Sequence, residues 1–267
     1  MEAEYNNRAK VPGHPAIMAA WQRDAAAFRA THPHKDLDCA YGPTPRQALD
    51  LFWPGTMRDV PLALFIHGGY WQALDRSWFS HMAAGLNAHG IAVAVMSYDL
   101  CPQVTLAALV DQVRAAAAWL HRRTCRRMLA FGHSAGGHLT AMLMATDWRG
   151  RDAVLPADLV PAGLAISGLF DLVPLIETSI NGALGLDQHT ATLLSPVRLP
   201  RPAGRLHAVV GGEEGREYER QSRDIAAAWD GSWYSLPGEN HFTIIGQLAN
   251  ANSQLTKLAA SMAITQS

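Results

Sequence analysis

Ser134 stands in Gly132-His133-Ser134-Ala135-Gly136, where a serine between close glycines is a candidate nucleophile. A serine hydroxyl reacts poorly at neutral pH, so a histidine must take its proton and a carboxylate must orient that histidine. The glycines let the backbone before and after the serine approach without Cβ clashes, on a strained turn that projects the hydroxyl. GxSxG by itself occurs in many unrelated loops, so its setting decides. Here an apolar run, Met128 to Phe131, precedes it and an Ala/Leu/Met-rich stretch, Gly136 to Met144, follows. That is the strand-turn-helix context the motif requires.

Where a serine sits on such a turn the chain order is nucleophile, acid, histidine. His241 follows Pro237-Gly238-Glu239-Asn240 after the last apolar run, where a loop can swing its imidazole over Ser134. His207 lies inside a predicted strand and His189 in a connecting segment, and both read as structural. For the acid, the run Leu206 to Val210 ends in Gly211-Gly212-Glu213-Glu214. Glu214 is the first choice, Glu213 its neighbour, and Asp171, after the preceding strand, a further alternative.

Acyl transfer also needs donors for a developing oxyanion, commonly backbone N–H groups. His67-Gly68-Gly69-Tyr70-Trp71 follows an early strand, and its glycines let the chain turn closely around a substrate oxygen. Gly69 and Tyr70 are the assigned donors, joined by Ala135 after the nucleophile, while His67 braces the loop. Trp71 and Phe170 are candidate substrate-binding residues, Trp71 with Tyr70 facing the mouth of the site.

These residues fall at fixed places in a repeating pattern. Short apolar runs alternate with Ala/Leu-rich helical stretches from about Gln47 onward, which predicts a mostly parallel sheet flanked by helices. Strands are expected over Leu62–His67, Ile91–Tyr98, Met128–Phe131, Ala162–Ser167, Leu206–Val210 and Ser232–Leu236. Helices are expected over Ser77–His89, Leu106–Arg123, Gly136–Thr146, Glu217–Trp229 and Phe242–Met262. The whole chain, 1–267, reads as one α/β domain. Residues from about 171 to 205, too long for an ordinary connection, read as a small helical lid over the site. Residues 1–46 form an N-terminal arm, with a helix over His14–Ala30 and a loop over Pro33–Pro45, that either folds over the site or pads the sheet edge, the latter being the expectation.

Composition narrows the partners. The 267 residues are 49% hydrophobic and 17% charged, enough to bury one sizeable core. Lys and Arg total 22 against 23 Asp and Glu, which leaves no broad electrostatic footprint for nucleic acid or an anionic membrane. Apolar runs are far short of the ~20 residues of a membrane span. The N-terminus carries Glu2, Glu4, Arg8 and Lys10, unlike a secretory signal. Cys39, Cys101 and Cys125 are too few and too irregular for a disulfide framework or zinc knuckle. A cytoplasmic protein with reduced thiols, a small-molecule substrate and no metal or organic cofactor is expected, with a homodimer allowed.

With the nucleophile, histidine and oxyanion loop in view, the chain resembles the kynurenine formamidase (arylformamidase) group, relatives of the hormone-sensitive-lipase-like esterases. The resemblance rests on His67-Gly68-Gly69-Tyr70-Trp71, in place of the esterases' HGGG, and on GHSAGGHL from Gly132 to Leu139. It extends to Tyr98-Asp99-Leu100-Cys101-Pro102, Ser167-Gly168-Leu169-Phe170-Asp171-Leu172, Ser195-Pro196, Glu217 to Ser222 and Asn240-His241-Phe242. It implies an α/β-hydrolase fold and cleavage of N-formylkynurenine to kynurenine and formate, a step of tryptophan catabolism. The family's acid stands three residues before a Glu-Phe pair, and Glu217-Tyr218 takes that place here, so the resemblance puts the acid on Glu214, a Glu for the family's Asp. Two other readings stand beside it: a carboxylesterase of broad acyl preference, and a non-catalytic hydrolase-fold binding protein.

Overall fold

The computed structural model describes residues 1–265. After two short helical turns at Glu2–Tyr5 and Asn7–Lys10, the chain runs α1 (His14–Thr31), β1 (Lys35–Ala40), β2 (Ala48–Phe52), β3 (Leu62–Ile66) and β4 (Ala92–Met96). There follow α2 (Leu106–Thr124), β5 (Leu129–His133), α3 (Ala135–Met144), β6 (Ala162–Ile166), β7 (Arg205–Gly211), α4 (Arg216–Trp229), β8 (Ser232–Leu236) and α5 (Gln254–Ile264). The eight strands form one sheet in the order β1-β2-β4-β3-β5-β6-β7-β8. From β4 to β8 every neighbouring pair is parallel, while β1-β2 and β2-β4 are antiparallel.

β3 to β6 are buried along their whole length, which is why they read as unbroken apolar runs and not as alternation. Period-two geometry still divides each strand between the faces. Leu62, Leu64 and Ile66 join one apolar layer with Leu109 and Val113 of α2, Leu139 of α3 and Ile225 of α4. Ala63 and Phe65 join the other, with Trp21 of α1 and Leu255 and Ala259 of α5. The sheet is thus covered on both faces, and its central strands end beside one another at their carboxyl edge. β5 passes there into α3 at Ser134, β3 into the His67-Gly68-Gly69 loop, and β7 into Glu214.

Three sequence expectations are corrected. The span 33–45 is not a loop: it contains β1, which extends the sheet beyond β2, a strand the βα rhythm did not mark. The Asp50 carboxylate, buried in β2, holds this edge by accepting from Arg29, Arg76 and the Asp38 backbone N–H. The helix expected over 77–89 is broken into 3-10 turns at Arg76–Trp78 and Ser80–Ala83 and a short helix at Ala84–Ala88, with Asp75 capping Ser77 N–H. The single C-terminal helix is likewise two pieces, a 3-10 turn at Ile244–Ala249 and α5. Side chains that compete for backbone N–H groups cause the breaks. Asn240 accepts from Phe242 and Thr243, Asn250 accepts from Asn252, and Ser253 caps α5 at Thr256.

Residues 171–205 carry four short turns, at Val173–Glu177, Asn181–Leu184, Gln188–Leu193 and Pro196–Arg198. Leu175, Leu184, Leu186, Ala191 and Leu194 bury this segment against the main core. Among the described residues, no helix is long and apolar enough to cross a membrane.

Candidate active site

Ser134 has φ 56° and ψ −117°, a positive-φ conformation that costs a non-glycine residue on the order of 1–3 kcal/mol. Its surroundings impose that geometry. Its N–H donates to Ile166 O of β6 at 2.8 Å, and its carbonyl accepts from Gly137 N and His138 N at the start of α3. A Cβ on Gly132 or Gly136 would overlap backbone: Gly132 meets the Gly136 carbonyl and Gly136 meets the Ile66 carbonyl of β3. Strand, turn and helix therefore pack at backbone contact, the physical content of the glycines in the motif. Gly68 closes in from the β3 side, where a Cβ would stand 2.8 Å from His133 O and 3.0 Å from Ser134 Cβ.

His241 Nδ1 lies 2.6 Å from Glu214 Oε2. The other oxygen, Oε1, accepts from Ser167 Oγ at 2.5 Å and Gly211 N–H at 2.6 Å. With a carboxylate as acceptor, Nδ1 is the protonated nitrogen, which leaves Nε2 as the basic one. Glu214 is 2% exposed and His241 5% exposed, so the pair is shielded from water. The other two carboxylates lie elsewhere. Glu213 is exposed, and Asp171 pairs with Arg198 at 3.6 Å and Arg220 at 4.0 Å. His189 is exposed, and His207 stacks on Tyr234 at 5.9 Å between centroids.

Ser134, His133 and His241 share the wall of a cavity of about 410 Å³. Gly68, Gly69 and Tyr70 belong to the same wall. Gly69, Tyr70 and Trp71 all have positive φ, at 109°, 50° and 59°, so the oxyanion-loop candidate is a tight left-handed turn. The N–H groups of Gly69, Tyr70 and Ala135 have no acceptor among the described residues. His67 is enclosed by rings, stacked on Tyr98 at 4.3 Å and on Phe79 at 5.9 Å, with Nδ1 2.7 Å from Gly68 O. Burial brings its pKa down from 6.5 to about 4, so a neutral imidazole fixes the loop. His133 sits 4.6 Å from the His241 ring. Burial, and then the neighbouring His241, hold it well below the usual histidine value, against an opposing bond to the His241 backbone.

The expected substrate contacts are corrected. Trp71 and Phe170 have no exposed surface and neither lines this cavity. The left-handed turn at 69–71 directs Trp71 inward, edge-on to His138 at 5.1 Å. Phe170 is held at its own N–H by Gln221 Oε1. The aromatic wall is instead Trp21, Phe79 and Phe242, with Trp21 lying 5.6 Å from Phe79 and 6.0 Å from Phe242.

Of the two courses open to the N-terminal arm, folding over the site and padding the sheet edge, the arm takes the first and enters the site. Glu2, Tyr5, Asn6, Asn7, Arg8, Met18 and Trp21 all line the cavity. Tyr70 OH donates to Tyr5 O at 2.5 Å and lies 2.7 Å from Tyr218 OH. Asn7 Nδ2 donates to both phenol oxygens, at 3.2 and 2.7 Å. Tyr218 packs its ring 4.9 Å from that of His241. Lys10 Nζ donates to Glu214 O at 3.2 Å. Burial raises the pKa of both phenols well above the ordinary tyrosine value, so they stay protonated donors. From the 171–205 segment, Ser179 and Ile180 complete the wall, and Gln72 Nε2 ties Ile180 O to the loop at 2.8 Å. Ser167 and Tyr218 fell within stretches that carried the resemblance, but nothing in their residue types marked them as partners of Glu214 and His241. For the arm, no residue type or spacing chooses between the site and the sheet edge.

Known proteins resemble the chain in the same terms. A family model described as BD-FAE matches residues 49–153. A kynurenine formamidase of Salmo salar is 31% identical over 242 residues, covering 85% of this chain and 81% of that protein. A crystal structure from Silicibacter sp. TM1040, provisionally described as a thioesterase, has a TM-score of 0.89 at 33% identity and covers 97% of this chain and 98% of its own. An esterase of Pyrobaculum calidifontis shares the fold at 16% identity, with a TM-score of 0.71 over 95% of this chain and 94% of its own. The fold is that of α/β-hydrolases, and the formamidase relatives make the chain a hydrolase. The chain belongs to the kynurenine formamidase family of α/β-hydrolases.

Proposed function

We propose that the chain is an arylformamidase that cleaves formyl aryl amides, N-formylkynurenine foremost, by acyl transfer through Ser134, His241 and Glu214. The observation that carries the reading is the convergence of Glu214, His241 and Ser134: a carboxylate 2.6 Å from an imidazole that shares one cavity with a strained serine. His241 Nε2 takes the Ser134 proton as Oγ attacks the formyl carbon, and Glu214 stabilises the resulting imidazolium. The oxyanion forms against the N–H groups of Gly69, Tyr70 and Ala135, where each donor contributes about 3 kcal/mol to the transition state. His241 then protonates the departing arylamine nitrogen as the C–N bond breaks. Water, deprotonated by His241, attacks the formyl ester and releases formate and free Ser134.

The substrate class is supported by the walls. Trp21, Phe79 and Phe242 offer aromatic surface to an aryl leaving group, and 410 Å³ lies in the range of small-molecule sites. A second reading, hydrolysis of carboxylic esters, draws on the thioesterase description of the Silicibacter structure, since the same parts attack any activated acyl carbon. Formate and alcohol release from N-formylkynurenine and from phenyl acetate, measured for wild type and Ser134→Ala, separates the readings. The formamidase reading expects both activities to fall by about 10⁴-fold or more in the variant, with N-formylkynurenine the better wild-type substrate. A several-hundredfold preference for the ester in kcat/KM would displace it, and an undiminished Ser134→Ala would end both.

A further inference from the structure

The walls of the cavity are mainly apolar or neutral. Among the described lining residues Arg8 is the one guanidinium or ammonium group and Glu2 the one carboxylate, and both come from the N-terminal arm. Both side chains are exposed, and the arm that carries them is anchored. Tyr5 is buried, with its carbonyl accepting from Tyr70 OH and its own OH donating to Glu217 Oε1 at 2.5 Å. Asn7, also buried, is bonded to Tyr70 and Tyr218, so the backbone that carries Arg8 is held at the adjoining residue. Glu2 is held by a pair of bonds, accepting from Ser179 N–H and Ser179 Oγ at 2.7 Å each. Those two bonds lower its pKa and keep it anionic. Arg8 has no ion pair among the described residues, whereas Arg29 and Arg76 each pair with two carboxylates.

We propose that Arg8 is the specificity residue for the amino-acid end of the substrate, its guanidinium binding the α-carboxylate while Glu2 accepts from the α-ammonium. The inference rests on the formamidase reading and extends it to a substrate class: aryl formamides that carry a zwitterionic tail. A guanidinium fits a carboxylate through two parallel N–H bonds, and a fixed anion in the same wall offsets the charge of the ammonium. The tail belongs to the leaving amine and takes no part in bond making. Its contacts are therefore the same in bound substrate and transition state, and their loss falls on KM and not on kcat.

The test compares wild type, Arg8→Ala and Arg8→Lys on N-formylkynurenine and on formanilide, which has the scissile bond without the tail. The kcat/KM ratio of tailed to tailless substrate is expected to drop 10- to 100-fold in Arg8→Ala through KM, and to recover partly in Arg8→Lys. A ratio within twofold of wild type overturns the assignment. Kynurenine is assayed in parallel as an inhibitor of phenyl acetate hydrolysis, with Ki expected to rise by the same factor in Arg8→Ala. That arm stands apart from the formamidase reading. If wild type cleaves the ester but neither formamide, the formamidase reading has failed, and the kynurenine Ki alone decides Arg8. An unchanged Ki, or no inhibition of wild type, overturns it.

Discussion

Two regions build the cavity by different physics. The Ser134 turn is made of backbone against backbone: β5, α3 and β3 approach so closely that Gly132 and Gly136 admit no Cβ, and Ser134 is held at positive φ. The N-terminal arm is made of side chains: Tyr5, Asn7, Tyr70 and Tyr218 share hydrogen bonds across 63 to 211 residues of sequence separation. The first region sets where chemistry can occur and tolerates almost no substitution at its glycines. The second lines the cavity around it, through contacts that can be changed one at a time. On the proposed function, reaction and selectivity are lodged in parts of the fold with different tolerance to change.

The sharpest way to break this contrast is Gly136→Ala. The added methyl must push α3 off the Ile66 carbonyl, so stability should fall by about 3 kcal/mol or more and hydrolysis should be lost. Gly182→Ala, where no atom lies within 4 Å of the added Cβ, is expected to shift stability by less than about 0.5 kcal/mol. Thermal unfolding of both checks the pair, and equal effects would show that the turn is no more constrained than the 171–205 segment. A milder effect is expected from Asn7→Ala, which removes two donor bonds to Tyr70 and Tyr218. Stability should fall by about 1–2 kcal/mol, with a several-fold loss in kcat/KM as Tyr70 loosens. Full activity at unchanged stability would mean that the arm lies on the site without holding it.

The same contrast explains what the sequence revealed. Glycines flanking a serine, and apolar runs at strand length, are local signals, so the Ser134 turn, the His67-Gly68-Gly69 loop and the order of βα units could be read directly. Glu214 and His241 could be named as a pair because each follows a strand end, and the structure sets them 2.6 Å apart. Ser167 could not be named, since its role lies in one hydroxyl that reaches Glu214 across 47 residues. The sequence leaves the arm between two courses for a related reason: Tyr5 and Asn7 act through Tyr70 and through partners beyond position 200, and no period or motif encodes such pairings. Residue type alone leaves Trp71 between the mouth and the core beneath the loop, because it carries no backbone direction; the left-handed turn sends it inward.

The central claim is that Ser134 acts with a His241 oriented by Glu214. Steady-state kinetics of Glu214→Gln beside Glu213→Gln and Asp171→Asn, on N-formylkynurenine and phenyl acetate, test it most directly. The account predicts a fall in kcat of about 10²–10⁴-fold for Glu214→Gln alone, since an amide neither fixes the Nδ1–H tautomer nor stabilises the imidazolium. Full activity in Glu214→Gln, or an equal loss in either of the other two variants, would contradict it.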